Sequence, residues 1–400
     1  MPKKKKKKNS KTKNTDIILT PKGYALFGNV YIEAGALEQM ERAMSLPITL
    51  AGALMPDAHE GYGLPIGGVI ATDNVVIPYA VGMDIGCRMT LSVYDLEKDF
   101  LSKYNDMLKR ILIDNTRFGM DEFEDRPEHP ILDRIEFKEI KFLKKHHALA
   151  IKQFGTSGRG NHFVEMGEVF VLAQNNPLSL KPGKYFGILS HSGSRRFGYE
   201  IAKHYSKIAE NKLNLPQKIK KLSWLDLNSS EGIEYWKAMN LAGDYARANH
   251  HYIHERLAKA IGIKPIKLIE NHHNFAWKEE WNGRKVIIHR KGATPAHKNT
   301  IGIIPGNMTS PAYIVVGKGN KRSLNSASHG AGRVMSRKKA KKTFTRKDLE
   351  NVLKKANVQL IGGDLDEVPM AYKNINEVIN AQQELIDIIA KFQPRIVRME

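Results

Sequence analysis

Apolar residues along the chain follow two rhythms. Short runs bounded by turn residues, such as "GGVIATDNVVIPYAVGMD" (67–84) and "RKVIIHRKG" (284–292), have the composition of β-strands. Longer segments repeat at helical spacing. "EYWKAMNLAGDYARANHHYIHERLAKAIG" (234–262) predicts one long helix that stops at Gly262. "TRKDLENVLKKAN" (345–357) sets Thr345 and Asp348 ahead of an apolar face. "NINEVINAQQELIDIIAKF" (374–392) predicts a helix with Asn374 at the N-cap, Glu377 three residues on, and Pro394 as the stop. There is no internal repeat and no Pro/Ser-rich linker long enough to separate domains. Strands and helices mix without clean β-α-β alternation. The pattern predicts one α/β or α+β domain over 16–400 with long functional loops. Residues 1–15 should form a disordered lysine-rich tail.

Charge narrows the class of partner. The 400-residue chain carries a formal charge of +21. Eight lysines and no acid lie in "MPKKKKKKNSKTKN" (1–14), which leaves +13 on the remainder. A field of that sign attracts polyanions, nucleic acid first. The tail reads equally as a solvated solubility device. No run of 18 apolar residues occurs, so no membrane-spanning helix is expected. The lysine-rich start has no apolar segment behind it and is not a secretory signal. One cysteine, Cys87, cannot make an internal disulfide, and the chain reads as cytoplasmic.

Candidate chemistry concentrates in stretches rich in Gly, His and Asn, the composition of functional loops. These are "MPDAHEGYGLPIGG" (55–68), "VGMDIGCRM" (81–89), "GTSGRGNHFVEMG" (155–167), "SHSGSRRFG" (190–198), "ENHHNFAW" (270–277), "IPGNMTSPAY" (304–313) and "SASHGAGRVMSRKKAKK" (326–342). Asp84 and Cys87 sit three apart in a glycine-punctuated turn. Carboxylate, thiolate and imidazole together suit a divalent transition metal. Read locally, Cys87 is either such a ligand or an inert buried thiol. His162, His191, His272 and His273 follow β-like or glycine-rich segments, where a ligand or a structural hydrogen-bonder would stand. His250, His251 and His254 lie on the long helical pattern and read as surface or helix residues, as do His146 and His147. In "SHGAGR" (328–333), Gly330 and Gly332 leave bare backbone around His329, which suits a phosphate. A neutral imidazole there is an acceptable nucleophile toward phosphorus. The basic residues Arg333, Arg337, Lys338, Lys339, Lys341 and Lys342 follow at once and suit a phosphate backbone. The local alternative is a glycine turn entering a basic helix.

In their order, these motifs resemble those of the RtcB family of tRNA-splicing RNA ligases, from about residue 20 to the C-terminus. The resemblance implies an α+β domain of mixed β-sheets flanked by helices around a central metal-binding cleft. It implies an enzyme that joins an RNA 3′-phosphate or 2′,3′-cyclic phosphate to a 5′-hydroxyl, with GTP and two Mn²⁺ ions. On this reading Asp84, Cys87, His162, His191 and His273 are the metal ligands, with Cys87 bridging the ions. His329 is the guanylylated nucleophile. The GMP-binding positions are Asn161, His162, Phe163, Val164, Glu165, Asn274, Pro305, Gly306, Asn307, Met308, His329, Gly330, Ala331 and Gly332. Glu165 would accept hydrogen bonds from the guanine N1–H and amino group, which adenine lacks on that edge. A monomer acting in RNA repair or tRNA splicing is implied, and some relatives need a helper protein.

Four positions depart from the family pattern. The chain ends "PRIVRME", with Met399 where a lysine commonly reaches the nucleotide. Arg398 lies one residue off register and would face the other way in a strand. Ala312 replaces a nucleotide-contacting serine, and Arg159 and Arg196 add bulk near the motifs. Two other readings therefore stand beside the ligase. One is a metal-dependent phosphohydrolase or nucleotidyltransferase acting on another nucleic-acid end. The other is a non-catalytic RNA-binding relative.

Overall fold

In the computed structural model, which describes residues 21–400 other than 173 and 175, hydrogen bonds join two main sheets. The lysine-rich tail lies outside the described residues. The larger sheet runs in the order Ile301–Ile304, Ala312–Gly317, Ile386–Arg398, Phe163–Val171, Gly183–Ser192, Arg88–Tyr94, Lys267–His272. These neighbours are antiparallel, which is why no β-α-β alternation shows in the sequence. The short strand Gln359–Ile361 adds in parallel to Ile386–Arg398. The sheet's two edges meet at Asn271. Asn271 accepts from Ile303 N at 2.9 Å and donates to Ile303 O at 3.3 Å. The amide thus occupies edge groups that would otherwise be open, and the sheet nearly closes on itself. The smaller sheet runs Ala25–Leu26, Thr49–His59, Ile66–Thr72, Arg284–Lys291, Asn274–Trp281.

The long helix forms as its pattern predicts, over Ser230–Ile261. Ser229 caps it by accepting from Gly232 N, and Gly262 ends it in the left-handed conformation. Tyr235, Leu241, Tyr245 and Leu257 are buried along it, each worth about 1.5–3 kcal/mol of transfer free energy. The predicted Thr345–Asp348 pair forms a reciprocal capping box for the helix Arg346–Ala356.

Three expectations fail in whole or in part. The segment 374–392 is helical only over Ile375–Asn380, with Asn374 as its cap; the chain then becomes the strand Ile386–Arg398. Pro394 does not stop this strand. It falls where the register with Phe163–Val171 slips, so no ladder bond needs its missing N–H. The apolar run 385–392 reads equally well as either element, and burial in the sheet decides. The second concerns His250 and His254, which lie on the long helix as read but are buried rather than at its surface. Ser190 Oγ lies 2.6 Å from His250 Nδ1 and 2.7 Å from His254 Nε2, and Ser92 Oγ lies 2.7 Å from His254 Nδ1. These imidazoles pin the long helix to the back of the sheet. Within "NVVIPYAV", Pro78–Val81 forms a helical turn where the pattern suggested strand.

Candidate metal centre and nucleophile

Four adjacent strands of the larger sheet end at one place. Cys87 precedes Arg88–Tyr94, His162 precedes Phe163–Val171, His191 is the penultimate residue of Gly183–Ser192, and His273 follows Lys267–His272. Register aligns them, since Phe163 and Met89 flank His191 on either side and His273 N bonds Cys87 O at 3.0 Å. Ligand-type atoms then converge in sequence. Asp84 Oδ2 is 2.9 Å from His162 Nε2, which is 3.4 Å from Cys87 Sγ. That sulfur is 3.2 Å from His191 Nε2, itself 3.3 Å from His273 Nε2. The atoms of Cys87, His162 and His191 all lie within 4.8 Å of one another. Gly158 makes room, for a Cβ there would sit 1.7 Å from His162 Nδ1. All five predicted metal residues are therefore brought together, with Cys87 in the middle.

The chemistry of this cluster fits a metal ion. Burial, then His162, pushes the His191 imidazole down to about 3, and burial also holds His273 far below its ordinary value. Both are neutral, as ligation requires. His191 Nδ1 lies 2.9 Å from Asn161 O, a bond that leaves the Nε2 lone pair aimed at Cys87. Burial, then Asp84, drives the Cys87 thiol well up. A cation is what would hold it as thiolate. Burial raises the Asp84 carboxyl, but His162, Cys87 and His191 outweigh this and keep it below its usual range.

His329 adjoins the cluster, with its ring centroid 5.0 Å from that of His273. Fully buried Asp57 holds it. Asp57 Oδ2 lies 2.6 Å from His329 Nδ1 and accepts from His329 N at 3.1 Å and Gly330 N at 3.3 Å. Lys373 Nζ donates to the carbonyls of Pro56 and Ala58 on either side. Burial raises Asp57, yet His329 and Lys373 more than reverse it, and its carboxyl stays below the carboxylate range. At Gly332 (φ +73°) a Cβ would meet Asp57 O at 2.1 Å, so only glycine lets the loop close on Asp57. Asp57 lies in the motif "MPDAHEGYGLPIGG", where residue type alone assigns it no role. An acid within the buried run "ALMPDAH" was the available signal.

The remaining candidates divide. Asn161 adds a side-chain contact to Arg337 Nη2 at 3.2 Å, and the Phe163 ring lies 5.6 Å from His191. Val164 and Glu165 are buried in the strand that follows. Burial alone pushes the Glu165 carboxyl well above its usual range. Gly330 stands near Pro305 O, and Ala331 is buried. Gly306 N bonds Pro311 O, Asn307 Oδ1 accepts from Thr309 N and Ser310 N, and Met308 is buried in one apolar cluster with Met399. The Asn274 side chain is already occupied by Gly292 N at 2.8 Å and Asp84 O at 3.3 Å. His272 stands apart from the cluster, stacked on Trp277. Among the departures, Arg398 donates to the carbonyls of Leu112 and Ile113 and so points to a helix away from the cluster. Arg159 Nε lies 2.9 Å from Glu400 Oε1, and both line a cavity of about 350 Å³ with Arg337 and Met399.

Comparison with known proteins agrees with the motif order. A family model described as tRNA-splicing ligase RtcB matches residues 39–140 and 132–400. The chain is 31% identical over 414 residues to the RNA-splicing ligase RtcB of Escherichia coli (strain K12), covering 94% of this chain and 96% of that protein. It is 32% identical over 419 residues to the tRNA-splicing ligase RtcB of Nanoarchaeum equitans (strain Kin4-M), covering 85% and 86%. It is 30% identical over 436 residues to RNA-splicing ligase RtcB homolog 1 of Entamoeba dispar (strain ATCC PRA-260 / SAW760), covering 90% and 81%.

Proposed function

The chain belongs to the RtcB family, and from that premise we propose that it joins RNA 3′-phosphate or 2′,3′-cyclic phosphate ends to 5′-hydroxyl ends, using GTP and two Mn²⁺ ions. The observation that carries this reading is His329, fixed through Nδ1 by buried Asp57 beside the His/Cys/Asp cluster.

With its Nδ1–H donated to Asp57, His329 keeps its lone pair on Nε2. That nitrogen attacks the α-phosphorus of GTP, a P–N bond forms and pyrophosphate leaves. A 2′,3′-cyclic end is first opened by water to a 2′-hydroxyl and a 3′-phosphate; the 3′-phosphate oxygen next takes the GMP and frees the imidazole. The 5′-hydroxyl oxygen then attacks the activated phosphorus, a phosphodiester forms and GMP departs. Asp57 stabilises the imidazole while it carries positive charge, as a buried carboxylate does for a catalytic histidine. Gly330 and Gly332 give backbone room for phosphate beside the nucleophile.

Asp84, Cys87, His162, His191 and His273 would hold the metal, with Cys87 as the shared ligand. Bound there, the ions would neutralise phosphate charge and stabilise it as it develops. Glu165, desolvated and without a basic neighbour acting on it, fits a group that waits for the donors of guanine. The free, buried Cys87 suits a reducing compartment, and we place the protein in the cytoplasm. No helix among the described residues is long and apolar enough to cross a membrane.

The test is incubation with GTP labelled at the α-phosphate and Mn²⁺, followed by ligation of a 3′-phosphate RNA to a 5′-hydroxyl RNA, with ATP run in parallel. Label should reside on His329, be absent from His329→Ala, and precede joining. A metal-dependent hydrolase would show no covalent GMP, and absence of both label and joining would overturn the reading.

A further inference from the structure

Tyr62 exposes 61% of its surface in the loop between the strands Thr49–His59 and Ile66–Thr72. An exposed ring is ordinary by itself, but this one is held in place from below. The Gln39 amide accepts from Gly61 N and donates to Gly61 O, both at 2.9 Å. Buried Lys291 Nζ donates to the carbonyls of Tyr62 and Leu64. Lys291 also ties the loop to the nucleophile, because a Cβ on its neighbour Gly292 would lie 3.1 Å from His329 Cε1.

A row of rings and cations continues away from Tyr62. Lys221 Nζ lies 4.1 Å from the Tyr62 ring centroid and 5.9 Å from that of Tyr79. The turn Pro78–Val81, which carries Tyr79, packs on the helix Arg195–Leu213, which carries Tyr199, and on the turn Lys220–Leu222, which carries Lys221. Tyr199 is 42% exposed in the first turns of the helix Arg195–Leu213, seven residues after the strand that carries His191 ends at Ser192. Lys203 and Lys207 follow Tyr199 at one-turn spacing and are exposed. Lys203, Lys207 and Lys221 make no ion pair among the described residues. Glu210, the acid that bears on the row, faces Lys220 Nζ at 3.9 Å.

We propose that Tyr62, Tyr79 and Tyr199, with Lys221, Lys203 and Lys207, form a track on which single-stranded RNA stacks on its way to His329. Rings offer faces to bases of any sequence and unpaired ammonium groups answer the phosphates, the combination that single-strand binding sites use. An acidic peptide would satisfy the lysines but leave the rings without planar partners. The proposal rests on the RNA-joining reading and names where its substrate lies.

Binding to a fluorescent single-stranded RNA of about 10 nucleotides, within the span such a site covers, tests it. Tyr62→Ala should weaken binding about tenfold, Tyr62→Phe should bind as the parent does, and Lys221→Ala should weaken binding and lower its salt dependence. A duplex, whose bases are already stacked, should bind the parent and Tyr62→Ala alike. Thermal melting of each variant reports its fold. Parent-like affinity for the single strand in both Tyr62→Ala and Lys221→Ala would overturn the proposal, as would an equal loss for the duplex. Guanylylation of the parent needs no RNA, so its failure would count against the joining reaction and leave the track's test intact.

Discussion

The Asp57 carboxylate lies 2.6 Å from His329 Nδ1 and accepts two further backbone N–H bonds from the same loop. One buried acid therefore sets both the ring's tautomer and the loop that carries it. Asp57→Asn should reduce His329 labelling by GTP about 100-fold or more, since an amide can present the wrong hydrogen-bonding partner to Nδ1. Single-turnover labelling with KM for GTP little changed is the expected signature. Asp57 sits below the usual carboxylate range, so its stabilising effect is present above about pH 4 and is lost as pH falls through the depressed value. Urea titrations across that window should show a shallower acid loss in the Asn variant.

Cys87→Ser should remove most metal affinity while leaving the fold, because the hydroxyl is nearly isosteric yet stays protonated near neutral pH. We expect at least a tenfold weaker Mn²⁺ affinity, a loss at least as large as removing a supporting partner costs. Metal retained after dialysis, counted per chain, measures it. The same thiolate-containing set should bind Zn²⁺ more tightly than Mn²⁺. Zinc should then inhibit manganese-dependent joining, and full turnover with zinc alone would contradict this.

Glu165→Gln should separate stability from nucleotide choice. Burial raises the Glu165 carboxyl, so its protonated form is favoured in the folded chain. Its contribution to stability is present below about pH 4.3 and is lost as pH rises through the raised value. The Gln variant should therefore be more stable than the parent at pH 7, on the order of 1–3 kcal/mol, and equal to it in acid. The substitution should also erode preference for GTP over ATP in the labelling assay.

Ser190→Ala should cost about 1–3 kcal/mol, because it leaves both His250 Nδ1 and His254 Nε2 without the hydroxyl they share. Denaturant unfolding measures this, and Ser190→Thr should recover part of it. His251 is bonded to Glu270 on the half-buried flank of the same helix, and His251→Ala should cost less.

Local chemistry was legible wherever a short stretch settles its own structure. The long helix ending at Gly262, the Thr345 capping box and the strand Arg284–Lys291 each follow from neighbouring residues alone. The segment 374–392 did not, because its apolar positions satisfy either period until the sheet claims Ile386–Arg398. The burial of His250 and His254 was not legible, for a related reason. A helix shows which positions share a face, but the serines on that face come from strands 60 to 162 residues away.

The order of the seven motifs placed the chain in its family, and residue types alone named Asp84, Cys87 and four histidines as capable of ligation. Which of them meet was decided by strand register. The sheet order brings Cys87, His162, His191 and His273 to one end of four neighbouring strands, although 75 residues separate Cys87 from His162 and 82 separate His191 from His273. His272, one residue before His273, points instead to Trp277, since adjacent residues of a strand face opposite sides. The partnership of Asp57 and His329 spans 272 residues and leaves no periodicity to read. Short-range pattern fixes what a segment can become. Only closure of the sheet brings distant side chains within bonding distance, because the short-range forces that select their partners act over a few ångströms of space rather than along the chain.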